Sequence, residues 1–258
     1  MLKLHEPTFG EEEIAAAVAV LRSTNVTAGP RVKDLEQQFC AKYGATQGVA
    51  CNSGSSANLL AIAALCNPVV GDRLRPGDEV IVPALCWSTT VWPLVQHGLV
   101  PVFVDVDPGT FNINVAEAEA CLTDRTRAIM CVHVYGNPCD MSALESLCER
   151  QNLLLIEDCC EALGARYDEQ PVGVFGNIAT FSFYFSHHMT TLEGGIVTTF
   201  NREAADLLVL WALSQCEQPP DVTTARAALV AKIARSSAER EAMWDDVGRW
   251  LRKPQKSS

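Results

Sequence analysis

With 258 residues, 48% of them hydrophobic, the chain can bury the core of one large α/β domain or of two small ones. Acidic residues outnumber basic ones 31 to 20, and the net charge of −11 argues against a nucleic-acid scaffold. No apolar run is long enough to span a bilayer, and the opening MLKLHEPTFGEEE lacks the charged-then-apolar plan of a signal peptide. A cytoplasmic protein with no membrane or nucleic-acid partner is therefore expected.

In chain order, residues 11–23 (EEEIAAAVAVLRS) read as a helix with the acidic start that the helix dipole prefers. Residues 31–43 read as a second. A short strand at 48–51 and a helix at 56–65 follow, then a buried strand at 79–85 (EVIVPAL) and a helix at 88–97. Three more strands are expected at 101–106, 128–134 and 153–157, separated by helices at 115–122 and 142–151. Strands at 179–184 and 195–200 close the series. Short apolar runs alternating with amphipathic helices predict a mostly parallel sheet covered on both faces, with ligands at the carboxyl ends of its strands. Residues 217–222 (EQPPDV) break the pattern, and 225–251 is a charged, helix-prone stretch before a frayed tail. The expected division is a large domain over 1–214 and a helical tail over 215–258.

Eleven cysteines are scattered, many in apolar surroundings (Cys51, Cys66, Cys131, Cys148), with no C-x-C or C-x-x-C pair. Buried reduced thiols are the expectation, rather than a metal or disulfide framework.

Several residues at strand ends carry chemical potential. Asn52-Ser53-Gly54-Ser55-Ser56 lies between a strand and a helix, where it is either an anion site built from backbone N–H groups or an ordinary helix cap. Trp87 follows the strand EVIVPALC and offers a flat face to a planar ring, or else fills core. Asp158 closes the apolar strand LLLIED, where burial calls for a charged or protonated partner unless it caps a helix. The loop from Ser182 to Gly195 holds a pair of histidines, His187 and His188, with no third residue spaced to complete a metal site.

Taken in order, GPRVKDLEQQFCAKYGA, NSGSSANLLAI, GDEVIVPALCWSTT, EDCCEALGA and SFYFSHHMTTLEGG resemble the DegT/DnrJ/EryC1/StrS family of pyridoxal-phosphate-dependent nucleotide-sugar enzymes. The likeness runs over residues 29–208. It implies the large domain of the fold type I transferases, a mostly parallel sheet between helices. It also implies roles: Gly54, Ser55 and Ser182 on the cofactor phosphate, Trp87 stacked on the pyridine, and Asp158 paired with the pyridine N–H. Glu161 stands where aminotransferase members usually carry glutamine.

One position departs from the aminotransferase pattern. Where those members have the lysine that binds the cofactor as a Schiff base, this chain has His187. Its lysines are Lys3, Lys33, Lys42, Lys232, Lys253 and Lys256, so residues 43–231 hold none. A histidine there resembles the branch that removes the 3-hydroxyl of 4-keto-6-deoxy nucleotide sugars, with GDP-4-keto-6-deoxymannose favoured over a CDP-linked, iron–sulfur-assisted substrate because no C-x-C is present.

The resemblance implies pyridoxal or pyridoxamine 5′-phosphate as cofactor, His187 as general base, L-glutamate as amino donor and a homodimer. Surface-polysaccharide biosynthesis is implied in the same way. Because the likeness fades after Leu208, the small C-terminal domain of the family is expected to be missing or truncated. An aminotransferase relative and a truncated non-catalytic remnant stand as the alternatives.

Overall fold

The computed structural model describes residues 9–26, 29–67 and 73–200. All belong to the first of two compact units, Met1–Leu208 and Val209–Ser258. The break at 217–222, the helix at 225–251 and the whole expected tail over 215–258 lie outside the described residues.

Helices α1 (Glu11–Ser23) and α2 (Pro30–Tyr43) come first, and strand β1 (Gln47–Cys51) leads into α3 (Gly54–Leu65). Then follow β2 (Glu79–Pro83), α4 (Ser88–Gln96), β3 (Val100–Val104), α5 (Val115–Ala120), β4 (Thr126–Val132), α6 (Met141–Gln151) and β5 (Leu154–Asp158). A two-residue hairpin, β6 (Arg166–Tyr167) and β7 (Gln170–Pro171), precedes β8 (Ile178–Ser182) and β9 (Gly195–Thr199). The helix ends follow local chemistry. Pro30 occupies the first turn of α2 and Gly44 ends it at φ 81°. Asp140 caps α6 by accepting the Ala143 N–H at 3.1 Å.

Seven strands form one sheet in the order β1-β9-β8-β5-β4-β2-β3. β2 pairs in parallel with β3 and β4, β4 with β5, and β5 with β8, while β9 runs antiparallel to both of its neighbours. The sheet is thus mostly parallel, as the alternating pattern predicts. Register brings the ends together: Cys51, Gly195 and Ser182 are opposite one another, and Asp158 lies opposite Thr180 on the adjoining pair. The carboxyl ends of β1, β5 and β8 therefore share one edge with the start of β9.

Strand alternation divides the core between the two faces. On one side Leu155 and Ile129 pack with Met141, Leu144 and Leu147 from α6. Nearer β9, Phe181, Phe183 and Ile196 pack on Phe39 of α2, with the Phe39 and Phe181 rings edge-on at 5.0 Å. The opposite face takes α3, which lies against β8 and β9 and is buried at nine positions from Gly54 to Leu65. Fully burying each large aliphatic side chain contributes about 1.5–3 kcal/mol, so the sheet and its covering helices form a rigid base for the edge where the candidate residues stand.

The described cysteines form no disulfide. Burial pushes the thiols of Cys51 and Cys66 up to about 11 and that of Cys148 up to about 12, which keeps them protonated and unreactive. Among the described residues, no helix is long and apolar enough to cross a membrane.

Candidate cofactor site

The first part of the site is the entry to α3. The helix starts at Gly54, two residues earlier than its apolar pattern suggests, because Ser53 caps it: the Ser53 hydroxyl accepts the Ser56 N–H at 3.1 Å. That cap is worth about 1 kcal/mol. Gly54 and Ser55 then occupy the first turn, where backbone N–H groups have no carbonyl of their own helix to bond.

Glycine is required here by close approach. A β-carbon on Gly54 would lie 2.6 Å from Ser182 Cβ and 2.9 Å from Cys160 Sγ, and one on Gly195 would lie 2.4 Å from the Ser53 carbonyl oxygen. The start of α3 is therefore pressed against the end of β8 and the start of β9, which brings Gly54 beside Ser182. Ser55 reaches the next helix, its hydroxyl donating to Thr89 Oγ1 at 3.1 Å. The strand-to-helix turn is thus a capped helix start, one of the two readings its sequence allowed.

The second part is Asp158. It ends β5 only 3% exposed, and no helix follows for it to cap. Its Oδ2 accepts from Asn58 Nδ2 at 2.9 Å and from Thr90 Oγ1 at 2.8 Å, and its Oδ1 from the Cys160 N–H at 3.2 Å. Neutral donors satisfy much of the carboxylate, and the helix-cap reading of Asp158 is overturned.

Trp87 stands at the N-cap of α4, three positions before Thr90, and is 72% exposed. The core-filling reading of this residue is overturned, and its indole is free to stack.

The third part is the loop between β8 and β9. His187 is half-buried, its N–H bonded to the Tyr184 carbonyl at 3.0 Å, and its ring lies 6.1 Å from that of Tyr184. Burial lowers the imidazole pKa below its ordinary value. The charge of Glu161 works against that shift, His188 adds to it, and Asp158 opposes it. Glu161 accepts the Tyr135 N–H at 3.0 Å and so fixes the left-handed turn at Tyr135, φ 52°.

A neighbouring buried set, His133, Glu157 and Cys159, brings potential metal-ligating atoms within 4.8 Å of one another. The lone pairs of His133 and Glu157 are already used. His133 Nδ1 accepts the Cys139 N–H at 3.0 Å, which leaves the ring hydrogen on Nε2 facing Glu157 at 3.2 Å. Glu157 also takes the N–H groups of Gly173, Phe175 and Gly176. The set is a hydrogen-bonded brace for the chain between β5 and β8.

A cavity of about 500 Å³ between α3 and α4 is lined by Ser55, Ser56, Leu59, Thr89, Trp92 and neighbouring residues. Of the residues that the resemblance assigns to the cofactor, only Ser55 borders it. Asn58, Thr90 and Thr180 were not singled out from sequence. The available signal was Asn58, one amide in the otherwise apolar run LLAIAAL and its approach, since a buried amide needs partners.

With this geometry established, the model of the DegT/DnrJ/EryC1/StrS aminotransferase family matches residues 7–226. The chain belongs to that family. Among DegT/DnrJ/EryC1/StrS members, it is 41% identical over 206 residues to the GDP-4-keto-6-deoxy-D-mannose 3-dehydratase of Yersinia pseudotuberculosis, covering 80% of this chain and 52% of that one.

A crystal structure of a GDP-4-keto-6-deoxymannose-3-dehydratase, a histidine-to-asparagine mutant with bound GDP-perosamine, superposes with a TM-score of 0.77 at 40% identity, covering 81% of this chain and 54% of that one. A second structure of such a dehydratase, with a trapped PLP-glutamate geminal diamine, gives 0.77 at 39% identity over the same shares. The fold is therefore that of the family's large domain. The chain spans about half the length of these relatives.

Proposed function

We propose that this chain is the cofactor-binding part of a pyridoxal or pyridoxamine 5′-phosphate-dependent 3-dehydratase. Its substrate is a 4-keto-6-deoxy nucleotide sugar, GDP-linked rather than CDP-linked, in cytoplasmic deoxysugar and lipopolysaccharide biosynthesis. The observation that carries this reading is His187 in the loop between β8 and β9, in a stretch from 43 to 231 without any lysine. The relatives named above support the substrate class, and the dehydratase with a trapped PLP-glutamate adduct supports L-glutamate as amino donor.

The cofactor fits the residues present. The Gly54–Ser182 contact forms a cradle that a side chain at position 54 would fill. When bound in its amine form, the cofactor supplies an amino group for the C4 ketone and a ring that accepts electrons. Gly54, Ser55 and Ser182 hold its phosphate at the start of α3, where the helix dipole favours an anion. Trp87 stacks on the ring, Asp158 accepts the ring N–H, and Glu161 shapes the wall at Tyr135.

His187 is the general base. Burial keeps its imidazole neutral near physiological pH, so it can accept a proton and return it to the leaving C3 hydroxyl as water departs. A homodimer completes the reading, supported by exposed Trp87, Trp92, Val95 and Leu85 around this edge.

The test is turnover of GDP-4-keto-6-deoxymannose with pyridoxamine phosphate and glutamate. His187→Asn should keep cofactor binding and lose C3–O cleavage by about 100-fold or more, the usual contribution of a general base. His187→Lys should trap the cofactor covalently and suppress dehydration. Undiminished dehydration in either variant would remove His187 from the mechanism.

A further inference from the structure

We infer that Asn58 is a positioning residue for the cofactor's ring nitrogen, acting through Asp158; the inference rests on the cofactor site proposed above. The amide of Asn58, on α3, is tied to two strands, β5 and β8. Its Nδ2 donates to Asp158 Oδ2 at 2.9 Å, and its Oδ1 accepts from the Thr180 hydroxyl at 2.7 Å. Thr90, from α4, brings a second donor to the same Asp158 oxygen at 2.8 Å. Asn58, Thr90, Thr180 and Asp158 are all buried.

The Asp158 carboxylate, which can only accept, decides which way the amide points, and Thr180 completes the pairing from the other side. Turned over, Asn58 would set its carbonyl oxygen against the Asp158 carboxylate, two acceptors facing each other. With Thr180 donating to Oδ1, the NH₂ group faces Asp158 and the carboxylate is held in one rotation. An ionised carboxylate accepts roughly four hydrogen bonds. Asn58, Thr90 and the Cys160 N–H occupy three of those places.

The surroundings of Asn58 make an incidental amide an expensive choice. Its neighbours on α3 are alanine, leucine and isoleucine, and the helix is buried on most sides. Leucine has the same branched heavy-atom skeleton and needs no polar partner, whereas an unpaired amide costs about 1–3 kcal/mol. An amide tied at both ends to polar groups on β5 and β8 is explained by what it holds in place.

The experiment uses ring-¹⁵N-labelled pyridoxamine phosphate, with the nitrogen chemical shift reporting ring protonation and a titration reporting affinity. Wild type should bind it with a protonated ring nitrogen. Asn58→Leu should move the shift toward the neutral pyridine position and weaken binding by about tenfold or more, the loss of one charge-assisted hydrogen bond. Thr180→Val, which leaves the amide in place but unties it, should move the shift the same way by less, and Thr180→Ser should restore it. Thermal melting of each cofactor-free protein separates these effects from loss of fold. Wild-type binding with an unchanged shift in both Asn58→Leu and Thr180→Val overturns the inference alone. Failure of wild type to bind at all overturns the site reading and the inference with it.

Discussion

Glu157 and Asp158 are consecutive residues of β5, both buried, and they serve opposite faces of the sheet. Glu157 turns toward His133 and the N–H groups of Gly173, Phe175 and Gly176. Asp158 turns toward α3 and α4, where Asn58 and Thr90 meet it. The pleat of a single strand thus separates a structural carboxylate from the one that the proposed function assigns to the cofactor.

Removing the structural carboxylate should destabilise the domain without touching cofactor chemistry. Glu157→Leu leaves three backbone N–H groups and the His133 ring hydrogen without their acceptor, and each buried donor left unsatisfied costs about 1–3 kcal/mol. Urea denaturation measures the loss. The protein that stays folded should still give the wild-type spectrum of bound cofactor. A wild-type unfolding midpoint would mean that the brace contributes little.

Gly54→Ala should strain the joint between α3 and β8. The new methyl group would meet Ser182 Cβ and Cys160 Sγ well inside contact distance, and overpacking of that order costs about 1–3 kcal/mol. Adding Ser182→Gly should recover part of the lost melting temperature by removing one of the two obstacles. It should not recover phosphate affinity, because the Ser182 hydroxyl goes with it. Full affinity in the single Gly54→Ala variant would contradict the cradle.

The sign of the pH dependence follows from the neighbours of His187. Burial disfavours its protonated form, so the free base survives to lower pH than the ordinary 6.5, and turnover should fall only as pH drops through that lowered value. Glu161 pulls the value up and His188 pushes it down. In kcat/KM profiles, Glu161→Gln should therefore move the acid limb to lower pH and His188→Asn to higher pH. A limb that stays fixed in both variants would belong to another group.

Much of this arrangement was legible in the chain, and the gaps have a common cause. Helix and strand identity came through at the longer elements among the described residues, because apolar spacing is local. The boundaries moved where local chemistry intervened. Ser53 draws the start of α3 back to Gly54, and the strand expected to reach 134 stops at Val132, before the short helical turn Val134–Gly136. The hairpin of β6 and β7, two residues a side, has no periodicity to detect.

Asp158 could be singled out because an acid at the end of LLLIED is conspicuous. Its actual partners could not, since Asn58 lies 100 positions away and meets Thr180 across 122. Strand order depends on pairings of the same range: β9 sits between β1 and β8, and β5 lies beside β8 across the hairpin.

The central claim, that this chain builds a lysine-free site for the amine form of the cofactor, is met most directly by a binding titration. Pyridoxamine phosphate is added to the purified protein and followed by its absorbance, with a parallel sample given pyridoxal phosphate and then borohydride. The account predicts saturable binding of one pyridoxamine phosphate per chain, and release of the cofactor from the borohydride-treated protein on denaturation. Absence of saturable binding would contradict it, and so would cofactor that stays attached to a lysine after denaturation and blocks pyridoxamine phosphate from the site.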